Sequence, residues 1–213
     1  MHKLALVGLN NSHPYVFAGY VNGGLRDVFL RNAPAWTHPL FPEKDWEPMV
    51  GGGEWTFETA WSRNQEFARE VMAAVRVPKL AQTLDEAAER SEGAFVCDMW
   101  GEYHKQQALP FLERGKPVFV DKPLAESAAD AMAMVKAAQD NRTVLSSCSA
   151  MRYDKGLQEL VAELDNGLGR PRIVTVCSPC YQDLARYSVH GIEIMSDCHL
   201  RFLPLAQCAR LRP

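Results

Sequence analysis

Apolar positions along this chain come in short blocks whose period changes from block to block. Leu4 to Val7 is an unbroken apolar run stopped by Gly8, the pattern of a strand covered on both faces. "GLNNSHP" then reads as a turn, with Ser12 as the cap of a helix from about Tyr15 to Leu30. Trp55 to Trp61 predicts a second strand, and Asn64 to Val75 a helix. Thr83 with Glu86 three residues on forms a capping box that opens another short helix. Ala94 to Met99 predicts a strand and His104 to Arg114 a helix ending at the stop signal of Gly115. Pro117 to Val120 is a short β-branched run, followed by a helix over Ala128 to Gln139 with Ser127 as cap, then a strand over Thr143 to Ser147.

Strand and helix alternate through residue 147, which implies a parallel sheet with helices on both faces. The predicted fold class is therefore α/β, a doubly wound sheet over residues 1–150. An incomplete α+β domain is expected over 151–213, with the boundary near residues 148–152. It opens on an amphipathic helix, Tyr153 to Leu164, stopped at Gly167, and a strand over Ile173 to Val176. About sixty residues is marginal for an independent core. One segment resists the pattern. "RNAPAWTHPLFPEKDWEPMVGGGE", residues 31–54, is rich in proline and glycine and reads as a long loop, either a surface excursion or a lid at a cofactor edge.

Composition narrows the function classes. With 47% apolar and 23% charged residues in 213, the chain is an ordinary soluble globular protein. A net charge of −3 without a like-charge run argues against nucleic acid and anionic membrane as partners. No apolar stretch is long enough to span a bilayer, and the start reads as a strand and not as a signal peptide. Six unevenly spaced cysteines do not make a disulfide framework, so a reducing cytoplasm is the expected location. Cys177-Ser178-Pro179-Cys180, with Cys198, His199 and Cys208 later, lacks a matching second C-x-x-C, and no metal is expected.

The candidate chemistry sits where predicted strands end. Gly8-Leu9-Asn10-Asn11-Ser12 occupies the place of a dinucleotide fingerprint but retains only its first glycine. Backbone N–H groups there still suit a pyrophosphate, and asparagine tolerates the left-handed conformations of a tight turn. An acid at the end of the second strand would favour an unmodified ribose. This chain has Ser62 and Arg63 there, a hydroxyl and a guanidinium that suit a 2′-phosphate. Lys122 ends the strand that begins at Pro117, at the edge where open α/β sheets bind ligands, and Pro123 follows it.

From His104 onward the spacing H-x-x-x-A-x-x-x-L-x-x-G-K-x-V-x-x-D-K-P resembles the glucose-fructose oxidoreductase, inositol dehydrogenase and MocA family. The resemblance runs from the first strand through "RYDKGLQELVAELDNGLGRPRIVTV" and "YSVHGIEIM" to about Met195. It implies a Rossmann-type fold, NADP with NAD as the alternative, and hydride transfer at a secondary carbinol of a sugar, inositol or related polyol. In the family, the lysine matching Lys122 faces both nicotinamide and substrate, and the bond before the proline is often cis. Asp121 stands where the family usually has glutamate, and would hold the ammonium. His104 joins the cofactor set with Asp121 and Lys122. His190 matches the proton-relay histidine and Glu193 an acid three residues on. Arg186 stands where the family has an acid four residues before that histidine, leaving Tyr187 or Glu193 as its orienting partner and as substrate contacts. Family members form homo-oligomers. The tail "SDCHLRFLPLAQCARLRP" departs from the pattern, so truncation or a frame change after about Met195 is expected. A non-catalytic nucleotide- or sugar-binding module of the same fold is the alternative expectation.

Overall fold

The computed structural model describes residues 1–169 and 184–199. Six strands make one parallel sheet: β1 (His2–Val7), β2 (Trp55–Trp61), β3 (Lys79–Leu80), β4 (Gly93–Val96), β5 (Val118–Val120) and β6 (Leu145–Ser146). Their order is β3-β2-β1-β4-β5-β6, the doubly wound arrangement. Strand order reverses between β1 and β4, and the crevice past their carboxyl ends is where such sheets take ligands.

Helices cover both faces: α1 (His13–Asn22), α2 (Arg26–Asn32), α3 (Gln65–Ala74), α4 (Leu84–Glu89), α5 (His104–Leu112) and α6 (Ala128–Asp140). The continuous apolar run of β1 serves both. Leu4 and Leu6 join Tyr15, Phe29, Phe57 and Val71 on one side. Ala5 and Val7, pointing the opposite way by the two-residue period, join Val96, Phe111, Leu112 and Met134 on the other. Asn64, Thr83 and Ser127 cap α3, α4 and α6, each side chain accepting a backbone N–H three residues on. Beyond the sheet lie α7 (Lys155–Glu163) and α8 (Leu184–His199). No helix among the described residues is long and apolar enough to cross a membrane.

Three expectations change. The single helix over Tyr15–Leu30 is two, α1 and α2, broken at Gly23 and Gly24. Gly23 has φ +80°, and a Cβ on Gly24 would lie 2.3 Å from the Trp46 ring, so the chain turns there to admit that indole. Strand β3 was not expected, because two residues carry no period. Its pairing of Lys79 with Thr59 and Leu80 with Ala60 on β2 creates it. After α7 the left-handed glycine is Gly169, at φ 77°, and not Gly167. The expected strand over Ile173–Val176 and the residues after His199 lie outside the described residues.

The proline-rich segment is neither bare loop nor lid along most of its length. It holds a 3-10 helix, Ala35–Leu40, and then folds back under α1 and α2. Phe41 and Trp46 are buried, and their rings stack with centroids 4.8 Å apart. Phe29 meets both edge-on, at 5.0 and 5.3 Å. The Trp46 indole N–H donates to the Gly19 carbonyl at 2.8 Å. Gly24 and Trp46 exchange backbone hydrogen bonds of 2.9 and 3.1 Å. An aromatic layer thus extends the core on the α1 face, and only Trp36 and Leu40 of this segment reach the cavity described below.

Candidate active site

The turn after β1 is shaped by β4. Gly8 has φ +78°, and a Cβ there would fall 2.6 Å from the Asp98 backbone nitrogen, so only glycine fits. Asn10 donates to Asp98 Oδ1 at 2.8 Å and accepts from the Met99 N–H at 2.8 Å. Asn11 donates to the Cys97 carbonyl and accepts from the His13 N–H at 2.7 Å. These two asparagines brace the turn where a dinucleotide fingerprint would use further glycines. Ser12 occupies the N-cap position but makes no side-chain capping bond, and Asn11 takes the first helical N–H instead. The N–H groups of Asn10, Asn11 and Ser12 carry no hydrogen bond to a described residue. A donor-lined turn at a helix N-terminus fits a pyrophosphate.

Asp98, two residues past β4, is a buried hub. Its carboxylate accepts from Asn10, from Gln107 at 2.7 Å and from the Trp100 N–H at 3.1 Å. Arg63 approaches it at 3.2 and 3.3 Å and lies 3.4 Å above the centre of the Tyr103 ring. Ser62 is buried, whereas the Arg63 side chain is 39% exposed. Of the pair expected to meet a 2′-phosphate, Arg63 is therefore the one that ligand can reach. The sequence carried no sign of Asp98 as its partner.

His104, expected among the cofactor residues, lies between the loops after β4 and β5. It is wholly buried, with Nε2 2.9 Å from the Asp98 carbonyl and Nδ1 2.9 Å from the Pro123 carbonyl. It ties the loop after β4 to the loop after β5 and so positions the segment that carries Lys122. The Lys122–Pro123 bond is cis. Lys122 Nζ stands 5.0 Å from the centre of the Tyr187 ring on α8.

Asp121 is buried and pairs with His13 Nδ1, a partner absent from the sequence reading. His190 on α8 places Nδ1 2.6 Å from the Ser149 hydroxyl. Burial pushes the His190 imidazole below its ordinary pKa. The Lys122 ammonium acts in the same direction, against the carboxylates of Asp121 and Glu193. Glu193 does not meet the cavity. Its Oε1 accepts from the Ser149 N–H at 3.2 Å, and Oε2 lies 2.6 Å from Arg152 Nη2. That second contact is an ion pair without hydrogen-bond alignment. The orienting partner of His190 is thus Ser149, with Glu193 behind it. Tyr187 lies with its ring centre 6.2 Å from that of His190.

These groups converge on a cavity of about 520 Å³ past the carboxyl ends of β4, β5 and β6. His13, Asp121, Lys122 and His190 provide its polar side, and Phe17, Phe119, Trp36 and Leu40 its apolar wall. The volume suits a small organic ligand. Among the described residues no cluster of His, Cys, Asp and Glu could hold a metal. Cys177 and Cys180 lie outside the described residues.

The chain is similar to several known proteins. At 38% identity over 89 residues it matches an inositol 2-dehydrogenase from Acidiphilium cryptum, covering 41% of this chain and 26% of that protein. An inositol 2-dehydrogenase/D-chiro-inositol 3-dehydrogenase from Halalkalibacterium halodurans is 32% identical over 132 residues, 60% of this chain and 37% of that one. The chain thus spans well under half the length of these curated relatives. In fold it is similar to apo scyllo-inositol dehydrogenase from Lactobacillus casei, with TM-score 0.68 and 14% identity over 93% of this chain and 55% of that one. A putative myo-inositol dehydrogenase from Sinorhizobium meliloti 1021 superposes with TM-score 0.66 and 15% identity over 93% of this chain and 55% of that one. The family profile described as an oxidoreductase family with an NAD-binding Rossmann fold matches residues 41–149, about half of the chain, and the chain belongs to that glucose-fructose oxidoreductase, inositol dehydrogenase and MocA family.

Proposed function

We propose that this protein is an NADP(H)-dependent oxidoreductase acting at a secondary carbinol of an inositol, sugar or related polyol. We read residues 1–150 as its dinucleotide domain and 151–213 as part of its substrate domain. The observation that carries the reading is the convergence of Lys122 and His190 on one cavity beside the donor-lined turn after β1. A bound nicotinamide would supply the hydride acceptor or donor. The turn from Gly8 to Ser12 would hold its pyrophosphate, and Arg63 the 2′-phosphate. Lys122 then donates a hydrogen bond to the carbinol oxygen and stabilises negative charge developing there. His190, whose proton affinity is lowered by burial and by the Lys122 ammonium, accepts the hydroxyl proton. Ser149 and Glu193 hold its ring in place.

Titrating the full chain with NADPH, followed by turnover assays over inositols, sugars and sugar alcohols, tests the reading. A chain that binds the dinucleotide but turns over nothing in that panel would instead be a nucleotide-binding module.

His190→Asn should abolish the acid limb of the kcat/KM profile. In the parent, turnover rises as His190 loses its proton. The depressed affinity of that site places the midpoint below the ordinary imidazole value. An unchanged profile in the variant would remove His190 from the proton path.

Arg63→Ala should weaken NADPH relative to NADH. The guanidinium already spends part of its charge on Asp98, so a roughly tenfold loss is expected and not the larger effect of a fresh ion pair. Dissociation constants for both dinucleotides, at one salt concentration, decide it. A parent that prefers NADH contradicts the assignment.

A further inference from the structure

His13 is the one cavity histidine for which the proposed reaction has no use. It occupies the first position of α1, and its side chain is 31% exposed. Its Nδ1 is engaged by the buried Asp121 carboxylate, which can only accept, so Nδ1 carries the proton of that contact. Nε2 makes no hydrogen bond to a described residue. The ring packs edge-on against Phe17, with centroids 6.2 Å apart, which helps fix its plane. The cavity that His13 lines also contains Lys122 and His190, so the three stand within reach of one small ligand.

A histidine clamped by a carboxylate at one nitrogen presents the other as an oriented site for a hydroxyl. Lys122 and His190 already serve the reacting oxygen. We propose that His13 Nε2 accepts a hydrogen bond from a second, non-reacting hydroxyl of the substrate, which makes it a specificity-determining residue for polyols over monohydric alcohols. The proposal rests on the polyol reading of the cavity. Asp121 is then a positioning residue, acting through His13. Phe17, Phe119 and Leu40 of the apolar wall cannot satisfy a hydroxyl and the Trp36 indole can only donate, so beside that wall the histidine supplies an acceptor. No bond is made or broken at His13: the hydroxyl keeps its proton and Nε2 supplies a lone pair.

The test uses the full chain labelled with ¹⁵N-histidine, titrated with myo-inositol and, separately, with cyclohexanol, in the presence of NADP⁺. The expected spectrum shows His13 protonated at Nδ1, with an Nε2 resonance that moves on myo-inositol and stays still with cyclohexanol. In turnover assays, His13→Gln should lower kcat/KM for the accepted polyol roughly ten- to a hundredfold, with little change for a monohydric alcohol. A His13 signal unmoved by myo-inositol while the parent oxidises it would overturn the proposal and leave the proposed function standing. A shifted His13 without turnover of any polyol would uphold the binding role and remove the reaction. If neither signal nor turnover responds, both fail. The measurement on the parent stands even if His13→Gln does not fold.

Discussion

Lys122→Ala is expected to lower kcat/KM for any accepted polyol by about 10²–10⁴-fold. Its affinity for NADPH should stay within a few-fold of the parent. The asymmetry follows from placement. Lys122 follows β5 on the cavity side, whereas the turn proposed to hold the pyrophosphate lies after β1 and is built from Gly8 to Ser12. Removing the ammonium takes away the donor for the carbinol oxygen without touching those N–H groups. The local backbone should persist, because His104 ties the Pro123 carbonyl to the loop after β4 and does not depend on the lysine side chain. Turnover and a dinucleotide titration on the same preparation give the answer. Parent-like turnover would show that Lys122 merely rests over the Tyr187 ring, 5.0 Å away, and contributes nothing to the reaction.

Trp46→Ala is the second large effect, and it concerns stability. Truncating a buried aromatic of this size typically costs about 3–5 kcal/mol. For a chain of this length that corresponds to a midpoint lowered by roughly 6–20 °C. Trp46 loses its stack on Phe41 and its edge contact with Phe29. The freed Gly19 carbonyl still accepts from the Gly23 N–H at 3.2 Å, so no orphaned acceptor adds to the cavity term. Thermal or denaturant unfolding measures the loss, and substrate KM below the new midpoint checks specificity. A stable variant with an altered KM would mean that residues 31–54 act as a lid and not as core.

Much of the frame could be read along the chain because its information is local. The apolar run of Leu4 to Val7, the caps Thr83 and Ser127, and the stop at Gly115, which has φ +69°, need only neighbours to act. Alternation of such elements leads to the doubly wound sheet almost without choice. The placement of Lys122 at a strand's carboxyl end follows from the same pattern, and so does its nearness to a ligand crevice.

The remainder depended on partners far away in sequence. Asp121 meets His13 across 108 residues, and Asp98 meets Arg63 across 35. His190 is hydrogen-bonded to Ser149, 41 residues earlier, although nearer residues on its own helix matched the chemistry equally well. Glycine and proline in residues 31–54 suggested a loop. Yet burying Phe41 and Trp46 against Phe29 favours order more strongly than local propensity opposes it. Sequence by itself determined which segments become strands and helices and which edge bears the lysine, since those depend on periodicity and on turn chemistry. Only the tertiary structure decided which acid holds which histidine and where the aromatic segment goes, because a hydrogen bond or a stacked ring is specified by distance in space, and a chain's order does not encode that distance.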